Sequence, residues 1–176
     1  MTFILVIGSG DREVIIVKRL IEDTKKINED LKIICIPTQV NSCINNYCFK
    51  TYPMLSNAST TIDQITETVH FCIIGPEAPL EKKYADYLES KKIPCIGPLQ
   101  FYAQLETSKQ FCRNFLNSHS SLKKYSPKFT TIFHKEKTRE KIVEILDDFD
   151  EIVIKRDGLC GGKGVIVQGY DFLDKN

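Results

Sequence analysis

Short apolar runs alternate with segments of helical periodicity in the first part of the chain. Residues 3–7 and 31–36 are continuous runs rich in β-branched side chains, which predict strands buried on both faces of a sheet. Between them, residues 11–21 place apolar side chains at helical spacing. A strand, a helix and a second strand in this order predict a βαβ unit, because parallel neighbours need such a crossover.

The same alternation continues to about residue 98, although residues 37–59 are polar, rich in Asn and difficult to assign. Pro79 is suitably placed to open a helix that follows the turn at Gly75-Pro76. The further elements are predicted in the order helix, strand, helix and strand: residues 60–68, 69–74, 79–91 and 93–96. This pattern predicts an α/β fold with a doubly wound, Rossmann-like parallel sheet over residues 1–98.

The pattern changes after residue 98. Two adjacent helices, then a strand, a helix and two further strands are predicted: residues 99–105, 107–119, 128–133, 138–148, 151–156 and 165–167. The last two strands flank a glycine-rich segment, so they predict a hairpin with a long mobile tip. We therefore expect a second, α+β domain over residues 99–176.

Composition excludes several classes of protein. The 176 residues are 42% hydrophobic and 27% charged, as in soluble globular proteins, and the net charge of +1 gives no global field that attracts nucleic acid. The apolar start is too short for a signal peptide, and no run reaches the length of a membrane span. Seven cysteines, mostly within apolar runs and without metal-ligand spacing, suit reduced thiols of a cytoplasmic protein with no metal site.

Two glycine-containing turns follow predicted strands. Gly8 and Gly10 lie between the first strand and the first helix, where backbone N–H groups can hold an anion. The dinucleotide fingerprint is incomplete, because Glu13 stands where a third glycine would fall. Gly75 and Glu77 follow a second strand, and both turns should lie at the carboxyl edge where α/β sheets bind ligands. A tight turn with a solvated glutamate is the alternative interpretation.

The richest segment is residues 155–164, which carries four glycines and two lysines between two predicted strands. Such a loop can fold over a polyphosphate, with backbone N–H groups and lysine ammonium groups meeting the oxygens. It is not a Walker A loop, because it lacks the spacing and the Ser or Thr after Lys163. A merely flexible hairpin is the alternative, and Lys109 on its own is an ordinary helix lysine.

Five motifs in one order make the chain resemble the phosphoribosylamine–glycine ligase family, also called glycinamide ribonucleotide synthetase. They are residues 6–13, 74–80, 93–98, 103–109 and 155–165. The family joins glycine to 5-phosphoribosylamine with ATP, through a glycyl phosphate, in de novo purine biosynthesis. The resemblance implies a preATP-grasp N-terminal domain followed by an incomplete ATP-grasp subdomain.

The resemblance also implies roles for individual residues. Lys109 and Lys155 match lysines that reach the phosphates of ATP. The residues that match the loop closing over those phosphates are Gly158, Gly161, Gly162, Lys163 and Gly164. Gly8, Gly10 and Glu77 match the edge that faces the substrate. The implied cofactors are ATP and Mg²⁺, and the implied partners are small molecules, with no nucleic acid and no membrane; oligomeric state stays open.

Departures from the family pattern qualify these expectations. Asp11 adds a negative charge beside the first glycine turn, Val14 replaces a titratable side chain, and Arg156 stands where the family has a small residue. The family chain continues into a part that holds the adenine hinge and the magnesium carboxylates, so we assign no catalytic residue and expect no catalysis by this chain alone. The alternative is a non-catalytic remnant that binds a phosphorylated ligand or a protein partner. Another ATP-grasp enzyme, such as a carboxylase, fits the motifs less well.

Overall fold

A computed structural model describes residues 1–27, 30–136 and 138–171. The chain forms two compact units, residues 1–103 and 104–176. None of the helices in the described ranges is both long and apolar enough to cross a membrane.

The first unit is built on a five-stranded parallel sheet with the strand order β3-β2-β1-β4-β5. The strands are β1 (Thr2–Ile7), β2 (Leu31–Ile36), β3 (Lys50–Thr51), β4 (Phe71–Ile74) and β5 (Cys95–Ile96). The predicted parallel α/β sheet is confirmed. β3 lies in the unassigned polar segment; its two residues are exposed, so no apolar run marks them.

Helices cover both faces of this sheet. The helices of the first half are α1 (Asp11–Lys26), α2 (Ser42–Asn45), α3 (Ala58–Ile62), α4 (Glu77–Glu81) and α5 (Tyr84–Ser90). Successive side chains of a strand point to opposite faces, so Leu5 and Ile7 join the core cluster that contains Tyr84 and Leu88. Val6 packs instead in the cluster that contains Val17 of α1. Burial on both faces explains why β1 is continuously apolar.

Two helix predictions in this unit were wrong in extent. α3 ends at Ile62, because beyond it the Thr66 N–H donates to the Tyr52 hydroxyl instead of continuing the helix. The helix expected from Pro79 to about residue 91 begins at Glu77 and is interrupted, since Lys83 takes a left-handed conformation with φ of 63° between α4 and α5.

The chain continues with α6 (Gln100–Thr107), α7 (Lys109–Ser118), α8 (Arg139–Asp147), β6 (Val153–Lys155) and β7 (Val165–Val167). β6 and β7 pair as an antiparallel hairpin, as predicted, with Lys155 opposite Val165. The strand expected over residues 128–133 is wrong: this segment is irregular. A strand needs a ladder partner, and in the described part of this unit β6 and β7 pair with each other alone.

Candidate functional site

The first glycine turn is shaped by close contact with the turn after β4. Gly8 has φ of +125°, and a Cβ atom there would lie 2.6 Å from Pro76 Cδ. Both the backbone conformation and this contact therefore require glycine. The Gly8 N–H donates to Ile36 O at 3.0 Å, which fixes the turn to the end of β2.

Glu13 joins the two turns from beneath. Its side chain is only 3% exposed, and its Oε2 atom accepts a hydrogen bond of 2.6 Å from the Gly10 N–H, which is the glutamate half of a capping box. Its Oε1 atom accepts from Arg12 Nε at 3.0 Å. A Cβ atom on Gly75 would lie 2.0 Å from Oε1, so the carboxylate fills the space that a side chain would need. The residue that made the fingerprint incomplete thus orders both turns.

Arg12 connects this junction to Glu77. Its Nη2 atom donates to Gly75 O at 2.5 Å and lies 3.9 Å from Glu77 Oε1. Gly8, Gly10 and Glu77, the residues expected to face substrate, are therefore brought to one edge of the sheet. Their role there remains a prediction.

A third segment, which the sequence interpretation missed, reaches the same edge. Ser9 is fully buried; its hydroxyl donates to Gln39 O at 2.6 Å and accepts from the Gln39 N–H at 3.0 Å. Asn41 Nδ2 donates to Ser9 O at 2.8 Å. Only its position along the chain could have indicated this segment, because residues 37–41 follow the carboxyl end of β2.

The glycine-rich tip of the hairpin is open. Gly158, Gly161 and Gly162 have φ values of 84°, 55° and 77°, and apart from their chain neighbours no atom lies within 4 Å of a Cβ built on any of them. Glycine is required there by conformation and not by crowding. Where the loop joins the two strands, the Arg156 N–H donates to Gly164 O at 2.8 Å. Lys155 and Lys163 are exposed beside this loop.

Lys109 lies at the base of this loop. It is the first residue of α7, and its Nζ atom donates to Gly158 O at 2.8 Å. The contact joins residues 49 positions apart, so sequence spacing gave no sign of it. The structure therefore brings together Lys109 and the predicted phosphate loop within the second unit.

Asp157 accompanies this contact and was not singled out from the sequence. Its carboxylate accepts from Ser108 Oγ at 3.1 Å and from the Gln110 N–H at 3.2 Å. Burial raises the pKa of Asp157, but hydrogen bonds from the Gln110 N–H, the Ser108 hydroxyl and neighbouring backbone groups outweigh it and lower the pKa overall. The carboxylate is therefore ionised at neutral pH.

Within the described ranges, no group of three or more His, Cys, Asp or Glu side chains is placed to hold a metal ion. The residues near the loop are mainly cationic or glycine. Mg²⁺ remains a prediction.

Comparison with known proteins assigns the family. A sequence profile described as "Phosphoribosylglycinamide synthetase, N domain" matches residues 2–106, more than half of the chain. The chain belongs to this family. A family member from Methanobrevibacter smithii, named phosphoribosylamine–glycine ligase, is 31% identical over 177 residues. The match covers 97% of this chain and 37% of that relative, so the chain spans less than two fifths of its length.

Solved structures of other proteins share the fold of this chain. N5-carboxyaminoimidazole ribonucleotide synthetase from Thermotoga maritima matches with a TM-score of 0.60 and 14% identity, over 96% of this chain and 41% of that one. N5-carboxyaminoimidazole synthetase from Staphylococcus aureus, complexed with ADP, matches with a TM-score of 0.55 and 17% identity, over 97% and 42%. The predicted preATP-grasp sheet domain followed by an incomplete ATP-grasp subdomain is confirmed.

Proposed function

We propose that this chain is the N-terminal, nucleotide-binding part of an ATP-dependent ligase that joins glycine to 5-phosphoribosylamine. The observation that carries the proposal is the contact between Lys109 Nζ and Gly158 O, which places an ammonium group at the base of an open glycine-rich loop. Backbone N–H groups of such a loop and nearby lysines bind phosphate oxygens. Family membership and the ADP bound to a structural relative support the same assignment.

Lys155 and Lys163 complete the cationic groups around the proposed phosphates. Lys155 ends β6, and Lys163 lies on the loop tip. In phosphoryl transfer, catalysis comes mainly from positioning and from neutralising negative charge. These lysines would supply part of that charge, and Mg²⁺, when bound, would neutralise more and orient the phosphates.

The edge of the first unit is the proposed site for the phosphorylated substrate. Gly8 and Gly10 flank the N-terminus of α1, where a helix favours anions. Glu77 lies beside them with its side chain 35% exposed, so its carboxylate is available to an amine or a hydroxyl. Asp11, an exposed carboxylate in the first turn of α1, opposes phosphate binding there.

Nucleotide binding is tested by calorimetry with ATP, with and without Mg²⁺. We expect weak binding, because the chain spans 37% of its relative, and we expect Lys109→Ala and Lys163→Ala to abolish it. Lys141→Ala is the matched control, since Lys141 forms an ion pair with Glu144 within α8. Equal binding by Lys109→Ala and the unmodified chain would refute the phosphate assignment, and tight Mg²⁺-dependent binding would refute the incomplete site.

Catalysis is tested separately, by measuring ADP formation with phosphoribosylamine, glycine and ATP. We expect no turnover by this chain alone, and turnover would contradict that expectation. Titration with ribose 5-phosphate, a stable analogue of the sugar phosphate, probes the edge at Gly8 and Glu77. Absence of any response in the amide resonances of residues 8–11 would refute the substrate edge.

A non-catalytic remnant is the second candidate function. Val14, where the family pattern has a titratable histidine, packs its side chain against the core cluster of Val6 and Val17. A packing role at that position favours binding without chemistry. Supplying the remaining part of the ligase from the M. smithii relative would separate the two, because only a catalytic part restores ligase activity.

A further inference from the structure

Building on the proposed nucleotide site, we infer that Asp157 is a positioning residue that fixes Lys109 and the base of the glycine-rich loop to each other. Asp157 is not a phosphate ligand in this arrangement. It acts through the N-terminus of α7 and through the residue that follows it, Gly158.

Two sets of hydrogen bonds cross between the loop base and the helix. The Asp157 carboxylate accepts from Ser108 Oγ and the Gln110 N–H, at 3.1 Å and 3.2 Å. In the opposite direction, Lys109 Nζ donates to Gly158 O at 2.8 Å. The N-cap and the first two residues of α7 therefore contact two consecutive loop residues, so the loop base cannot shift without breaking both sets.

The charges favour this arrangement. The N-terminus of a helix carries a partial positive charge and unpaired N–H groups, and a carboxylate there is stabilised. α7 has ten residues, and Ser108 is its N-cap, accepting from the Phe111 N–H at 3.1 Å. Asp157 thus supplies an acceptor that the helix backbone needs, and its negative charge is offset before any phosphate approaches.

These contacts orient the side chain of Lys109. An ammonium group has three N–H donors, so the bond to Gly158 O leaves two for phosphate oxygens. A free lysine side chain loses substantial rotamer entropy when it is immobilised. Because Lys109 is already held at the loop base, part of that loss occurs on folding and not on nucleotide binding.

The base and the tip of the loop differ sharply. Asp157 and the Gly158 carbonyl are hydrogen-bonded to the start of the helix, whereas a Cβ built on Gly161 or Gly162 would meet no atom within 4 Å other than those of the chain neighbours. A tip that closes over a ligand therefore moves about a fixed base. Removing the Asp157 carboxylate should release that base.

Asp157→Ala and Asp157→Asn test the inference, with Asp171→Asn as the matched control. Asp171 Oδ2 also accepts a backbone N–H, that of Val167 at 2.7 Å, but at the far end of the hairpin. Hydrogen exchange should be faster at the Gln110 amide in Asp157→Ala, and acylation of Lys109 by a small anhydride should accelerate. Asp157→Asn, which keeps an acceptor oxygen without the charge, should be intermediate, and Asp171→Asn unchanged.

ATP affinity is the functional measurement. We expect a decrease of about tenfold in Asp157→Ala, equivalent to about 1.4 kcal/mol, and no change in Asp171→Asn. Unchanged exchange at Gln110 and unchanged acylation of Lys109 in Asp157→Ala would overturn the inference. Faster exchange with unaltered ATP affinity would overturn it as well, while leaving the proposed function intact. If the unmodified chain binds no ATP, the proposed function fails, and the exchange and acylation measurements still decide whether Asp157 holds Lys109.

Discussion

Replacing Gly75 with alanine should destabilise the first unit, although the backbone there suits any residue. The added Cβ would lie 2.0 Å from Glu13 Oε1, 2.5 Å from Cδ and 2.7 Å from Cγ. Atoms do not approach this closely, so the Glu13 side chain must move. Because Glu13 is 2% exposed and its Oε2 atom holds the Gly10 N–H at 2.6 Å, movement breaks that bond inside the protein.

The size of the effect follows from the bonds lost. A hydrogen bond to a charged group contributes about 1.5–3 kcal/mol, and an off-rotamer side chain costs about 1 kcal/mol more. We therefore expect Gly75→Ala to lower the free energy of unfolding by about 3 kcal/mol, measured from the shift in the midpoint of urea unfolding.

A double-mutant cycle separates the clash from other effects of alanine. Glu13→Ala alone should cost about 2 kcal/mol, because it leaves the Gly10 N–H without its acceptor. In the double variant, Gly75→Ala should add little, since the atoms it would strike are gone. A coupling free energy near zero between the two sites, or a cost below about 0.5 kcal/mol for Gly75→Ala, would refute the reasoning.

Three further predictions concern the same unit. Tyr52 and Lys50 hold the pKa of Glu67 at about 2, against an ordinary 4.5. The ionised Glu67 carboxylate therefore stabilises the fold above pH 4.5, and this stabilisation disappears as the pH falls towards 2. The free energy of unfolding in urea should accordingly be lower at pH 3 than at pH 7. Thr61→Val should cost about 1–3 kcal/mol in thermal or urea unfolding, because the fully buried hydroxyl also bonds the Tyr84 hydroxyl at 2.9 Å. In a native thiol titration, exposed Cys43 should react first, whereas Cys72, whose pKa burial raises, should react only on unfolding.

Two of these predictions have a matched control variant, and the third has an outcome that would contradict it. Glu67→Gln should reduce the loss of stability between pH 7 and pH 3. The same pH dependence in this variant as in the unmodified chain would contradict the role given to Glu67. Thr61→Ser keeps the hydroxyl and should retain most of the stability lost in Thr61→Val. Rapid modification of Cys72 in the folded chain would show that β4 is more accessible than its burial indicates.

The strands with two buried faces were predictable because burial leaves a continuous apolar run. β1 and β2 are such strands, and their bounds differ from the prediction by at most one residue. β3 was not predictable, since Lys50 and Thr51 are exposed and pair in parallel with β2 only after the crossover through α2. The wrongly predicted strand at residues 128–133 fails for the converse reason: its propensity finds no ladder partner in the described structure.

The candidate sites also contain some features that could be predicted from the sequence and others that could not. The glycine loops were visible as local composition, because a turn or an open loop needs glycine at particular places. Glu13 and Asp157 were not, since each acts on residues distant in sequence: Glu13 beneath Gly75, and Asp157 at the helix that begins with Lys109. Residue identity alone shows an acidic side chain and not the N–H groups that it will meet.

The bracing of two turns by Glu13 has a kinetic consequence. Turns that are already rigid need no rearrangement when a ligand arrives, so association at the edge near Gly10 should follow a single diffusive encounter. The open tip around Gly161 is different, because each residue ordered there costs about 1–2 kcal/mol of backbone entropy. Binding at that loop should therefore show a closing step after encounter, slower than the encounter and with a rate that does not depend on ligand concentration. Binding at the edge near Gly10 should show no such step.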